Sequence, residues 1–146
     1  MVDREIFSRR LAALQDYLKK LRAFRGATEE EFRRTAALHD LAERYLHLAV
    51  ECVLDLANHF IAEAGLPIPE TNQDSFSRLE DAGEINAQLA DRLRSWAGFR
   101  NVLVHEYIDI DHGIAWAAIQ DELTDLEAFG RWAATKLEEN PTTEGT

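Results

Sequence analysis

Apolar residues return at three- and four-residue intervals along nearly the whole chain, the period of helices that each bury one stripe. Phe7, Leu11, Leu14, Leu18 and Leu21 draw the first stripe and predict a helix from about Asp3 to Phe24, closed by Gly26. Thr28 followed by Glu31 has the capping-box pattern, and Glu29 and Glu30 complement the positive end of a helix that starts there. That helix is predicted to reach Gly65, kinked or broken near Ala36. Its buried side comprises Phe32, Leu38, Tyr45, Leu48, Ala49, Cys52, Val53, Leu56, Phe60 and Ile61. Gly65 stops it ahead of Pro67 and Pro69. Asp74 or Ser75 is expected to cap a short helix that carries Phe76 and Leu79 to about Ala82, where Gly83 ends it. The next helix begins near Glu84 and places Ile85, Leu89, Leu93, Trp96, Val102 and Leu103 on its apolar sides. Residues 108–113 lose the period and read as a turn. One final helix is predicted through Ile114, Ala118, Ile119, Leu123, Leu126, Phe129, Ala133 and Leu137 to about Glu138. Prolines stand only at 67, 69 and 141, so the strongest helix breaker is missing from two long stretches. The expected fold class is all-α, an antiparallel bundle of four long helices and one short one, in one domain over 1–139 with a frayed tail over 140–146.

Composition narrows the setting. The 146 residues, 46% of them hydrophobic, suffice for one well-cored domain. A net charge of −11 argues against a general nucleic-acid coat, so any RNA site must be locally basic. Arg92, Arg94 and Arg100 are the candidates for such a strip. Cys52 is the only cysteine, which excludes an intrachain disulfide and a cysteine-based zinc site; it reads as a small buried hydrophobe. The first residues lack the basic and long apolar regions of a signal peptide, and no apolar run nears the roughly 20 residues that span a bilayer. A cytoplasmic protein with no membrane association is expected.

Candidate chemistry falls in two places. His39, Glu43, His47, Glu51, Asp55 and His59 recur at every fourth position of the long helix. The row drifts about 40° per step. His39, Glu43 and His47 could approach one metal ion, but alternating acids and bases at this spacing also describe an ordinary polar helix face, which is the preferred reading. Glu51, Asp55 and His59 could enter a cleft or line a subunit contact. The second place is Arg100-Asn101-Val102-Leu103-Val104-His105-Glu106-Tyr107, at the end of an apolar helix. Arg100 offers a permanent cation with forked donors for a phosphate. His105 offers an imidazole, the side chain suited to moving protons near neutrality. On a regular helix the two stand about 7.5 Å apart along the axis and roughly 140° apart around it. The spacing fits either a catalytic pair on a phosphate or a surface ion pair with a helix cap. Tyr107 fits a packed aromatic equally well. Asn101 is a poor helix former, and Gly98 costs roughly 1 kcal/mol relative to alanine, for which a close helix or subunit approach is the expected reason.

The octet resembles the Arg-x-x-x-x-His-x-Tyr signature of HepT toxins in the HEPN superfamily. Asp55 to Glu63, Phe76 with Leu79, and the aspartate of Ile110-Asp111 resemble other segments of that family, over roughly residues 35 to 130. The resemblance implies a HEPN-like homodimer with the two octets facing across a composite cleft. It implies a metal-independent ribonuclease, without cofactor, that is the toxin of a two-gene system. Arg100 and His105 would be its catalytic pair, with Asn101 orienting them. Tyr107 would be the regulatory residue, AMPylated by a minimal nucleotidyltransferase antitoxin of the MntA kind. The alternative kept open is a non-catalytic helical partner that only accepts AMP.

Overall fold

The computed structural model describes residues 4–105 and 110–139, and every regular element among them is helical. Helix α1 (Arg4–Arg22) runs into a short 3-10 turn at Ala23–Gly26. There follow α2 (Glu29–Arg34), α3 (Ala36–Ala64), α4 (Asn72–Asp81), α5 (Ala87–His105), α6 (His112–Asp121) and α7 (Leu123–Glu139). The five leucines and phenylalanines of the first stripe are the buried residues of α1, which packs along α3 and α7. The 29 residues of α3 make it roughly 44 Å long. It touches every other α-helix and has Leu46, Ala49, Val50, Leu56 and Ala57 fully buried. One apolar cluster draws on all seven helices.

Local signals explain most boundaries. Thr28 and Glu31 form the reciprocal capping box, with Thr28 Oγ1 accepting from Glu31 N and Glu31 Oε1 accepting from Thr28 N. Gly65 closes α3 at φ 67°, a left-handed conformation that favours glycine. Three expectations are corrected. The short helix starts earlier, because Thr71, not Asp74 or Ser75, accepts the capping bond, from Asp74 N. The helix expected from Glu84 starts at Ala87, where the Asn86 side chain accepts from Leu89 N. The final helix is two, α6 and α7, divided at Glu122.

That division carries no proline or glycine, and tertiary contacts account for it. In a continuous helix the Ile119 carbonyl would accept from Leu123 N. Here Arg25 Nε donates to Ile119 O at 3.0 Å, and Gln120 Nε2 returns a bond to Arg25 O at 3.1 Å. Trp116 Nε1 donates to Ala27 O at 2.9 Å, so α6 is strapped to the turn that precedes α2. Leu123 still turns fully inward, at the start of α7. The expected break near Ala36 is present at Thr35, and it frees the Phe32 carbonyl, which His39 Nδ1 meets at 2.9 Å.

Candidate functional site

Arg100 lies on the last turns of α5 and reaches across to the middle of α3. Its Nε donates to Glu51 Oε2 at 2.8 Å, and Nη2 donates to the same oxygen. Nη1 donates to Asn101 Oδ1 at 3.2 Å. On α3 itself, His47 Nε2 lies 3.1 Å from Glu51 Oε2, one turn away, and Arg44 Nη1 lies 3.5 Å from His47 Nδ1. The side chains of Arg100 and Glu51 are 20% and 31% exposed. Burial pushes the Glu51 carboxyl up, but hydrogen bonds and charge from Arg100 and His47 outweigh it and leave it below the ordinary carboxylate range.

His105 is the last residue of α5 and is exposed. Among the described residues it has no hydrogen bond to Arg100. The helix stays regular to that point, so the two side chains leave it on different sides. Tyr107 falls outside the described residues. Gly98 faces α4, where an added Cβ would meet Gln73 Nε2 at an ordinary 3.6 Å. The close helix approach expected there is not made among the described residues.

The six-residue row on α3 splits between three helices. His39 and Glu43 join His112 of α6: Glu43 Oε2 accepts from His112 Nδ1 at 2.6 Å, and the two imidazoles stack at 3.6 Å and 11°. His47 and Glu51 serve Arg100. Asp55 pairs with Arg10 of α1 at 3.2 Å. His39, Glu43 and His47 therefore do not converge on one point, while Glu51, Asp55 and His59 stand half-buried along one face of α3, each one turn from the next. Glu43 is buried, which raises its carboxyl above the ordinary range against the pull of His112.

Within one chain the three arginines of the expected basic strip do not share one face of α5. At 100° per residue Arg94 stands about 200° round the helix from Arg92. It bonds Glu80 and Ser77 of α4 at 3.1 and 3.2 Å. Arg92 is 3.6 Å from Asp125 and 55% exposed. What sequence reasoning missed is that Glu51 is the partner of Arg100. The i, i+4 pair His47–Glu51 was visible along α3, but nothing in the sequence linked it to a residue 49 positions later.

The family described as Ribonuclease HepT-like matches residues 14–131, a span that holds both helices of this site and the whole octet. The chain belongs to the HepT-like ribonuclease family. The mRNA nuclease HepT of Shewanella oneidensis is 29% identical over 125 residues, 86% of this chain and 93% of that protein. The tRNA nuclease HepT of Aphanizomenon flos-aquae is 27% identical over 126 residues, 86% of each chain. A solved structure of the tri-AMPylated Shewanella oneidensis HEPN toxin in complex with MNT antitoxin superposes with a TM-score of 0.82 at 28% identity. The alignment covers 92% of this chain and 99% of that one. The resemblance read from the octet thus extends to most of this HepT-like chain and to its fold. Among the described residues no helix is long and apolar enough to cross a membrane.

Proposed function

We propose that this chain is a HepT-type toxin, an endoribonuclease that cleaves mRNA or tRNA without a metal or cofactor. The observation that carries the reading is the octet 100–107 inside a chain that belongs to the HepT-like family. RNA supplies its own nucleophile. In the proposed step the 2′-hydroxyl loses its proton to a base, O2′ bonds phosphorus, and the P–O5′ bond breaks. The products are a 2′,3′-cyclic phosphate and a 5′-hydroxyl, with the proton delivered to the leaving oxygen. His105 moves the proton and Arg100 stabilises the charge that gathers on the phosphate, while Asn101 helps to orient Arg100.

The active unit in this reading is a cytoplasmic homodimer. Because Arg100 and His105 leave α5 on different sides, a composite cleft between two copies supplies the missing geometry. A shallow groove of about 200 Å³ lined by Trp96, Phe99, Ile114 and Ala118, with Ile114 57% exposed, offers apolar surface close to the end of α5. The partner is a minimal nucleotidyltransferase antitoxin of the kind seen with the Shewanella toxin, and Tyr107 is the residue that accepts AMP. Each AMP adds bulk and negative charge to a protein that must bind RNA phosphate, so modification stops cleavage.

Purified protein made without the antitoxin should cut bulk tRNA or mRNA, and His105→Ala should abolish cutting while circular dichroism stays helical. A His105→Ala protein that cuts as well as the wild type sinks the reading. Co-expression with the antitoxin should add AMP-sized increments to Tyr107 by mass spectrometry.

A further inference from the structure

Arg100 has five N–H donors, and the structure accounts for three. Nε and Nη2 each give one to Glu51 Oε2, and Nη1 gives one to Asn101 Oδ1. Among the described residues two donors remain, one on each terminal nitrogen. With Asn101 taking the Nη1 hydrogen on the Cδ side, that pair is the outward fork with which an arginine meets two oxygens of one phosphate. A phosphate therefore need not displace Glu51 to reach Arg100.

Glu51 is itself held in place. Its Oε2 also receives His47 Nε2, and His47 Nδ1 faces Arg44 Nη1. The histidine tautomer with its hydrogen on Nε2 satisfies both contacts, donating to Glu51 and accepting from Arg44. Three residues of one α3 face, Arg44, His47 and Glu51, thus form a chain that ends on the guanidinium. Without it, an arginine on the last turns of α5 would be free to sample many rotamers, and ordering it on substrate would cost entropy.

We propose that Glu51 is a positioning residue for cleavage: buttressed by His47, it fixes the Arg100 guanidinium so that its Nη1/Nη2 fork is what meets the RNA phosphate. The proposal rests on Arg100 being the phosphate-binding residue of the proposed ribonuclease. Its signature is a split between kcat and KM. Removing the carboxylate loosens the guanidinium, which lowers kcat. It also removes a negative charge beside the phosphate, which leaves KM unchanged or lowers it.

The test uses the full, unmodified chain purified without antitoxin, with bulk tRNA and a mixed-sequence single-stranded RNA as substrates. Glu51→Ala should lower kcat by about 10- to 100-fold without raising KM. Glu51→Gln keeps an acceptor in the same place and should recover most of the loss. His47→Ala should fall between Glu51→Ala and the wild type. Wild-type kcat in Glu51→Ala, with Arg100→Ala inactive, overturns the proposal and spares the ribonuclease reading. A rise in kcat also overturns it, since that is the mark of a competitor removed. An active Arg100→Ala, or a wild type that leaves both RNAs intact, removes the reading and the proposal together. If Glu51→Ala does not fold, Glu51→Met fills the same space without an acceptor and should show the same loss. Failure of both to fold while Glu51→Gln folds identifies a purely structural pair and overturns the proposal.

Discussion

Glu43 and Glu51 are two turns apart on one helix face, yet their surroundings move their protons in opposite directions. Glu43 is enclosed and has one strong partner, so burial wins and its carboxyl holds a proton more tightly than usual. Glu51 is less enclosed and receives Arg100 and His47 together, so its partners win. The stability consequences have opposite signs. The contribution of Glu51 is present above the ordinary carboxylate range and is lost as pH falls through its lowered pKa. That of Glu43 is fully present below the ordinary range and is lost as pH rises through its raised pKa. Urea denaturation from about pH 4 to about pH 7 should therefore show the gap between wild type and Glu51→Gln widening with pH. The gap between wild type and Glu43→Gln should shrink over the same interval. Parallel pH profiles for the two variants would contradict these opposed environments. Cys52 lies next to Glu51 but is a core residue: burial first, then the charge of Asp55, pushes its thiol up to about 11.

At the scale of elements, what could be read in the sequence follows the locality of the cause. The stripe of α1, the capping box at Thr28 and Glu31, the glycine stop at Gly65 and the break near Ala36 all depend on residues within one or two turns, and all stand as expected. The division at Glu122 was not legible, because Arg25, which takes up the freed Ile119 carbonyl, is 94 positions away. Apolar periodicity ran straight through the break, since Leu123 is buried on either reading. The same rule covers the candidate site: the octet is a local pattern legible in the sequence, while the Glu51 contact of Arg100 is not local and was missed. If Arg25 holds the break, Arg25→Ala leaves the Ile119 carbonyl without its donor at a half-buried position. The expected loss is about 1–3 kcal/mol of unfolding free energy by chemical denaturation. It should come with faster amide hydrogen exchange in α6 than in α3. A loss below about 0.5 kcal/mol would mean that packing of Leu123, not the Arg25 bond, sets the break.

At the scale of the whole molecule, the proposed RNA site has to work against a net charge of −11. Three arginines on α5 looked available by composition, but the fold commits them unequally. Arg94 points to α4 and is held by Glu80, Ser77 and, at 3.7 Å, Asp91, so it supports the α4–α5 contact. Arg92 and Arg100 stand only about 80° apart around the helix, and each keeps donors to spare beyond a single carboxylate partner. RNA binding should therefore depend on two α5 cations per chain, not three. In a His105→Ala background, which binds without cutting, the logarithm of affinity for single-stranded RNA should fall linearly with the logarithm of salt concentration. Arg92→Ala and Arg100→Ala should each reduce that slope by about 0.7 for every phosphate no longer neutralised. Arg94→Ala should leave the slope unchanged and lower the denaturation midpoint, because it strips Glu80 of its partner. If Arg94→Ala flattens the slope as much as Arg100→Ala, the α4 contact yields to RNA and all three arginines form the binding surface.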